Sequence, residues 1–406
     1  MKQDFDVVIA GGGLNGPALG LALADAGMRV AVVDAAPARA RASDNFDGRA
    51  YALALASVRL LKGIGLWDQL APTAQPITRV VARQGRGKDI SDLGLFFDAN
   101  EIEEGVLGQM LEDRFLYRAL IEAMPQRLTH IPKTQVIGQQ ADTGGIDVML
   151  SDGRKLRARL LVGADGRRSG VAERAGISRT GWSYDQTALV AALSVEIPHH
   201  GTAHQVFLPT GPLAVLPLRD NRASIVWSMT NPQARTIADL PDEAFLEVLA
   251  PHIRDIAGEI TLAGPRFSYP LGLTLANAYV DERVALIGDA AHGVHPIAGQ
   301  GLNLGLRDVA ALAECLVDAA RNGEDIGFAT VLDRYQGWRR FDSTSLALGM
   351  DSVNTLFSND NPILRTARGL GMGAVNAVPA LRRRFMRQAA GLSTRPMPRL
   401  LAGQPL

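Results

Sequence analysis

The chain has 406 residues, 47% of them apolar and 21% charged, which is the balance of an ordinary globular protein and long for one core, so two subdomains are expected. Its 42 basic and 42 acidic residues cancel, which gives no sign of a nucleic-acid partner, and its one cysteine, Cys315, excludes an intrachain disulfide framework and a thiolate metal cluster. No stretch reads as a charge-free transmembrane helix, and the N-terminus enters a strand without a signal peptide. A cytoplasmic protein is expected, at most peripheral at the inner membrane face.

The first element is the apolar run Asp4 to Ala10, which flows into Gly11-Gly12-Gly13-Leu14-Asn15-Gly16. This is a dinucleotide fingerprint: Gly11 permits a tight turn, Gly13 lets backbone approach a pyrophosphate, and Gly16 lets the next helix pack on the strand. Pro17 fits the first helical turn, where its missing N–H costs little. The helix runs to a Gly27 stop, and a second strand, Arg29 to Val33, delivers Asp34. A carboxylate there accepts from the ribose hydroxyls of an adenosine and repels a 2′-phosphate, so the resident nucleotide is expected to be FAD or NAD. A polar loop, Ala35 to Arg41, leads to Asp47-Gly48-Arg49 and to a helical stretch through Ser57, Leu60 and Leu61.

Two further strand-to-loop motifs lie downstream. Leu160 to Gly163 is an apolar strand that ends on Ala164-Asp165-Gly166 with Arg167, Arg168 and Ser169. Val284 to Ile287 ends on Gly288-Asp289, passes a Gly/Pro loop holding Pro296 and Gly299, and opens a helix at Gly299-Gln300-Gly301-Leu302-Asn303. That order sets a carboxylate beside the free N–H groups of a helix N-terminus, where an anionic or polyhydroxylated cofactor can be held. Because the three motifs are far apart, the cofactor domain is expected to be discontinuous: 1–75, 100–180 and 277–350. Strand-like runs at Leu189 to Val195, Leu213 to Leu218 and Ala223 to Ser228 place a mainly antiparallel sheet in the second domain, 76–99 and 181–276. The fold class is therefore α/β, a Rossmann-like domain with an inserted sheet domain and C-terminal helices.

The last part, 351–406, is basic: from Asn361 onward it carries eight arginines and no acid, which leaves the rest of the chain at minus eight. Apolar residues from Ile363 to Phe385 recur at helical spacing, so one face can pack or insert while the arginines face outward, and Pro379 would kink or split the helix. The blander reading is a packed helix with a solvated charged face.

The Gly288-to-Asn303 segment resembles the flavin signature of aromatic hydroxylases related to p-hydroxybenzoate hydroxylase. With Asp47-Gly48-Arg49, Gly65-Leu66-Trp67, Gly211-Pro212, Leu216-Pro217-Leu218 and Val226-Trp227-Ser228, nearly the whole chain resembles the ubiquinone-biosynthesis hydroxylases of the UbiH/UbiF type. The resemblance implies bound FAD, with Arg49 on the flavin side, Gln109 near the pyrophosphate or adenine, Asp165 serving FAD and the passing nicotinamide, and Asp289 on the ribityl or pyrophosphate region. It sets Pro296, Gly299, Gly301, Leu302 and Asn303 beside the isoalloxazine. It also implies NAD(P)H and O2 as cosubstrates, and a polyprenylated phenol hydroxylated by way of a flavin C4a-hydroperoxide. Other ubiquinone-biosynthesis proteins or an anionic membrane would meet the basic tail. No side-chain catalyst is assigned, since the cofactor carries the oxygen chemistry.

Other readings compete. A small soluble aromatic acid as substrate would need a committed Arg or Lys in the sheet domain. A flavin halogenase would carry a Trp-x-Trp element, which is absent. A non-catalytic flavin-bound subunit of the quinone-synthesising complex would use the tail as its main surface. His199, His200 and His204 read as a solvated loop more readily than as a metal site, His292 as a structural hydrogen-bonding group more readily than a base, and Cys315 as a buried small residue more readily than a nucleophile.

Overall fold

The computed structural model describes residues 4–38, 41–42, 46, 48–86, 89–293, 300–357, 371, 373–393 and 396–406. Strand Phe5–Ala10 is apolar from Val7 to Ala10 and buried there, as a central strand of a parallel sheet must be. It pairs in parallel with Val30–Val33 on one side and Lys155–Gly163 on the other, and Thr129–Ile131 and Val284–Leu286 extend the parallel set outward. Register aligns the strand ends. Ala10 lies opposite both Val33 and Gly163, and Gly163 lies opposite Leu286, so four strands end level. Asp34, Asp165 and Asp289, each one to three residues past such an end, therefore leave the sheet along one edge.

The crossover between the first two strands is helix Asn15–Asp25, buried from Gly16 to Leu23. Helix Gln300–Arg321 packs against it. Gly27, at φ 86°, turns the chain out of the helix.

A second sheet of nine strands runs, in spatial order, His292–Gly293, Phe267–Ala276, Arg179–Val195, Arg222–Thr230, Gly211–Leu218, Thr202–Leu208, Arg79–Arg86 and Asp89–Asp98, with Ile260–Leu262 beside Arg179–Val195. Its pairings are antiparallel except for Thr202–Leu208 with Arg79–Arg86, which are parallel. Alternation gives the sheet two faces. Leu189, Ala191, Leu193, Leu213, Val215, Ile225, Trp227 and Met229 form one core with Phe245, Leu249 and Ile253 of helix Asp242–Ala257. The opposite parity faces the parallel-sheet layer: Ala203 and Leu218 pack on Ile77 and Met110 of a three-stranded sheet (Ala50–Ala54, Gly108–Glu112, Gln75–Ile77), and Leu273 packs on Leu304.

The C-terminal region departs from expectation in orientation. Residues 373–377 are helical, the helix breaks at Val378, and a second one begins with Pro379 at its first position, Pro379–Ala389. The arginines do not all face outward. Arg382 pairs with Glu101 at 2.6 Å, Arg387 with Glu104 at 3.9 Å, and Arg399 with Glu314 at 3.4 Å and with Asp318. The solvent side of the helix presents Leu381 and Phe385, 36% and 47% exposed, together with Arg383, Arg384 and Arg387, and Val378 lies beside them. Acids of the body of the chain thus hold Arg382 and Arg399, while Arg383, Arg384 and Arg387 stay exposed as expected, and Met386 and Ala390 are buried. Ile363, Ala367 and Leu370 lie outside the described residues, as do Arg365, Arg368 and Arg395.

Candidate cofactor and substrate site

The three fingerprint glycines have different reasons to be glycine. A Cβ on Gly11, whose φ is +119°, would overlap the carbonyl of Ala164, and one on Gly16 would overlap the carbonyl of Gly11. Both are dictated by protein atoms. Gly13 has no heavy atom within 4 Å of where its Cβ would stand, so nothing in the described protein requires it to lack a side chain. It borders open space at the start of helix Asn15–Asp25, whose N-cap is Leu14, with no capping side chain and no acid in the first turn. A helix N-terminus left uncapped beside an open glycine fits a pyrophosphate.

The carboxylates line the same edge. Asp34 Oδ1 accepts from the Ala36 N–H at 3.1 Å, and Asp34 Oδ2 lies against Gly12, where a Cβ would overlap it. Asp165 Oδ2 accepts from the Val171 N–H at 3.1 Å, while its Oδ1 is buried without a hydrogen-bond partner, as is Asn15 Oδ1. Gly288 and Gly305 make room for the Asn15 amide, so the fingerprint, the Asp289 loop and helix Gln300–Arg321 meet at this one side chain. Asp289, half-exposed, receives Arg167 Nε at 3.3 Å, which ties the Asp165 and Asp289 loops together. Buried acceptors without donors, beside an open helix start, fit a hydroxyl-rich dinucleotide such as FAD.

On the far side of this edge, Arg49 leads into strand Ala50–Ala54, and Gln109 occupies the middle strand of the three-stranded sheet, opposite Leu53. Arg49 and Arg41 approach the buried carboxylate of Asp113 at 3.6 and 3.5 Å, and Tyr51 donates to it at 2.9 Å. Burial and the Asp113 charge push the Tyr51 phenol far above its ordinary range. Asp113 was visible in the sequence but carried no weight there, because nothing local signals that it is buried.

Gly301, Leu302 and Asn303 form the first turn of helix Gln300–Arg321, which has no acid in that turn. The Asn303 side chain faces the protein: it accepts from the Ala54 N–H and the Ser57 hydroxyl, each at 2.8 Å, and donates to the Ala52 carbonyl at 2.8 Å. It staples the helix to strand Ala50–Ala54, so what it offers a ligand is backbone. Pro296, Gly299, Asp47 and His295 lie outside the described residues. Asp308 was missed. Its signal was the pair Arg307-Asp308 inside the otherwise apolar run Leu304 to Leu312 of a buried helix.

Other candidates resolve simply. His199 accepts from the Gly201 N–H through Nδ1 at 3.0 Å and bonds the Leu218 carbonyl through Nε2 at 2.8 Å, and among the described residues no cluster of His, Cys, Asp or Glu could hold a metal. Burial pushes the Cys315 thiol up to about 12, which leaves it a poor nucleophile. No helix among the described residues is long and apolar enough to cross a membrane.

The face of the nine-stranded sheet turned toward the cofactor layer carries small and apolar residues: Ala188, Val190, Ala214, Leu216, Val226 and Ser228 share it, with Tyr269 and Phe267 at one side. Among the described residues on this face the one cation is Arg222, and it is bonded to Glu112 at 2.8 Å.

The family described as FAD binding domain matches residues 4–342. The chain is similar to a ubiquinone hydroxylase, UbiL, of Rhodospirillum rubrum, 44% identical over 99% of this chain and 93% of that one, and to the 3-demethoxyubiquinol 3-hydroxylase of Escherichia coli, 37% identical over 96% and 100%. Among solved structures it shares the fold of a p-nitrophenol 4-monooxygenase of Pseudomonas putida, with a TM-score of 0.80 at 20% identity, covering 97% of this chain and all of that one. With its motifs and its sheet edge, these place the chain in the FAD-binding-domain family among the ubiquinone-biosynthesis hydroxylases of the UbiH/UbiF type, as an FAD-dependent aromatic-ring monooxygenase that uses NAD(P)H and O2.

Proposed function

We propose that this enzyme hydroxylates the ring of a polyprenylated phenol in ubiquinone biosynthesis. The observation that carries the reading is the inner face of the large sheet. A small aromatic acid would need a cation committed to its carboxylate, whereas the described cation of that face, Arg222, is already engaged by Glu112, which it shares with Arg114, and by Asp220. Ala188, Val190, Ala214 and Val226 offer apolar surface and few protruding atoms, which suits a bulky, uncharged ring with a hydrocarbon tail.

In this reading the start of helix Asn15–Asp25 and Gly13 hold the FAD pyrophosphate, Asp34 the adenosine ribose, and Asp165 and Asp289 the hydroxyl-bearing middle of the cofactor. Arg49 and Gln109 approach it from the three-stranded sheet, and the backbone of Gly301, Leu302 and Asn303 borders the ring. When bound, FAD supplies the electron relay and the oxygen activation. The chain's own residues orient the ring, exclude water from the cleft and stabilise negative charge at a helix start. No side-chain base is assigned.

The tail serves delivery. A polyprenyl substrate partitions into lipid, and Val378, Leu381 and Phe385, with the exposed Arg383 and Arg384, suit a peripheral contact with anionic bilayer. Sedimentation with anionic vesicles tests this: loss of binding in a Leu381→Asp, Phe385→Asp double variant supports it, and equal binding dismisses it. The main test is turnover by the FAD-loaded enzyme with NAD(P)H and O2. A polyprenylphenol gaining one oxygen, with small aromatic acids inert, supports the reading; the reverse preference overturns it.

A further inference from the structure

Beneath the Asp289 loop lies a charge cluster that the proposed chemistry does not use. Asp308, fully buried on helix Gln300–Arg321, receives three donors, two from the Asp289 loop and one from helix Ala329–Phe357. Its Oδ2 accepts from the Gly288 N–H at 2.9 Å and from His292 Nε2 at 2.5 Å, and its Oδ1 accepts from Arg339 Nε at 2.8 Å. Arg339, itself buried on helix Ala329–Phe357, bonds Asp342 at 2.5 Å and Ser343 Oγ at 3.0 Å, and Asp342 also meets Arg307 at 3.4 Å. Two carboxylates thus face two guanidinium groups, and since a carboxylate only accepts, His292 carries its proton on Nε2.

The two loop donors bracket Asp289. Gly288, at φ +59°, is pressed between Asp308 and the Asn15 amide, and His292 pairs with Leu275 of the large sheet. Segment Gly288 to Gly293 is therefore the bridge from the cofactor edge to the substrate sheet, and one carboxylate grips both ends of its first turn.

We propose that Asp308 is a positioning residue for the cofactor: through Gly288 and His292 it holds the Asp289 loop in the conformation that receives FAD. This rests on the reading that the Asp289 edge binds FAD. The test is the FAD dissociation constant, read from flavin fluorescence, with apoprotein melting followed alongside. Asp308→Asn, which places an amide among three donors, and His292→Leu should each raise the constant tenfold or more. His292→Gln, whose amide can replace Nε2 as donor, should stay within threefold of the parent. Asp325→Asn, which breaks the Arg283–Asp325 pair (2.8 Å), is the control for a purely structural loss and should stay within twofold. If Asp308→Asn does not fold, the two His292 variants decide. Unchanged affinity in Asp308→Asn and His292→Leu, or an equal loss in Asp325→Asn, overturns the proposal. Unchanged affinity in Gly13→Val would instead overturn the cofactor site itself.

Discussion

The two surfaces that we assign to cofactor and substrate are built in opposite ways. The edge of the parallel sheet is made of backbone, glycines and carboxylates, each delivered by the end of a strand. The inner face of the nine-stranded sheet is made of small apolar side chains that share only parity. A ligand at the edge is gripped by fixed polar groups, so small changes there cost much; a ligand on the face is admitted by what is missing, so the damaging change there is an addition.

The largest effect should come from Gly11→Ala, which sets a Cβ against the Ala164 carbonyl at a positive φ. Loss of about 4 kcal/mol or more is expected, read as failure to accumulate folded protein or a collapse of the melting temperature. A parent-like melting curve would mean that the strand ends are not packed as described. Next, Asp34→Ala should weaken FAD by roughly ten- to a hundredfold, about 1.5–3 kcal/mol, with apoprotein stability little changed, because a charged hydrogen-bond acceptor is lost while the fold is not. Calorimetric titration reads it, and parent affinity would remove Asp34 from the edge.

On the inner face, Val226→Arg adds a cation with no acid committed to it, unlike Arg222, the one cation among the described residues there. Its kcat/KM for a polyprenylphenol should fall about tenfold or more, about 1.4 kcal/mol in transition-state terms, while FAD affinity holds. Unchanged turnover would mean that the substrate lies elsewhere. The smallest effect belongs to the tail: Arg382→Ala, breaking a partly exposed pair with Glu101, should cost about 1 kcal/mol or less of stability and nothing in FAD affinity. A loss of FAD would mean that the Arg382–Glu101 pair supports the cofactor edge.

The same contrast explains what could be read in advance. Strand, glycine turn, helix and acid are local patterns, so Gly11 to Asp34, the Asp165 turn and the Asp289 loop could each be recognised from consecutive residues, and the register of a parallel sheet then brought the three acids to one edge. Nothing local tells which parity of Arg179–Val195 faces the cofactor layer, because the register shifts between Ser183 and Thr187 and Asp185 takes φ 52°. The pairs made by Arg382 and Arg387 were not legible for a related reason. Their partners, Glu101 and Glu104, lie about 280 residues away, and helical spacing alone cannot say whether the cationic or the apolar side faces in. Asn303 was expected beside the flavin, a placement its backbone still carries as a proposal; that its side chain staples Ala52, Ala54 and Ser57, across some 250 residues, was not legible from consecutive residues.

One titration tests the central claim. FAD is added to the apoprotein of the parent and of Gly13→Val, with binding followed by flavin fluorescence and folding by melting temperature. Among the described residues nothing lies within 4 Å of the missing Cβ of Gly13, so the valine should leave melting unchanged and abolish binding that the parent shows at one equivalent. FAD bound equally by both proteins would contradict the account.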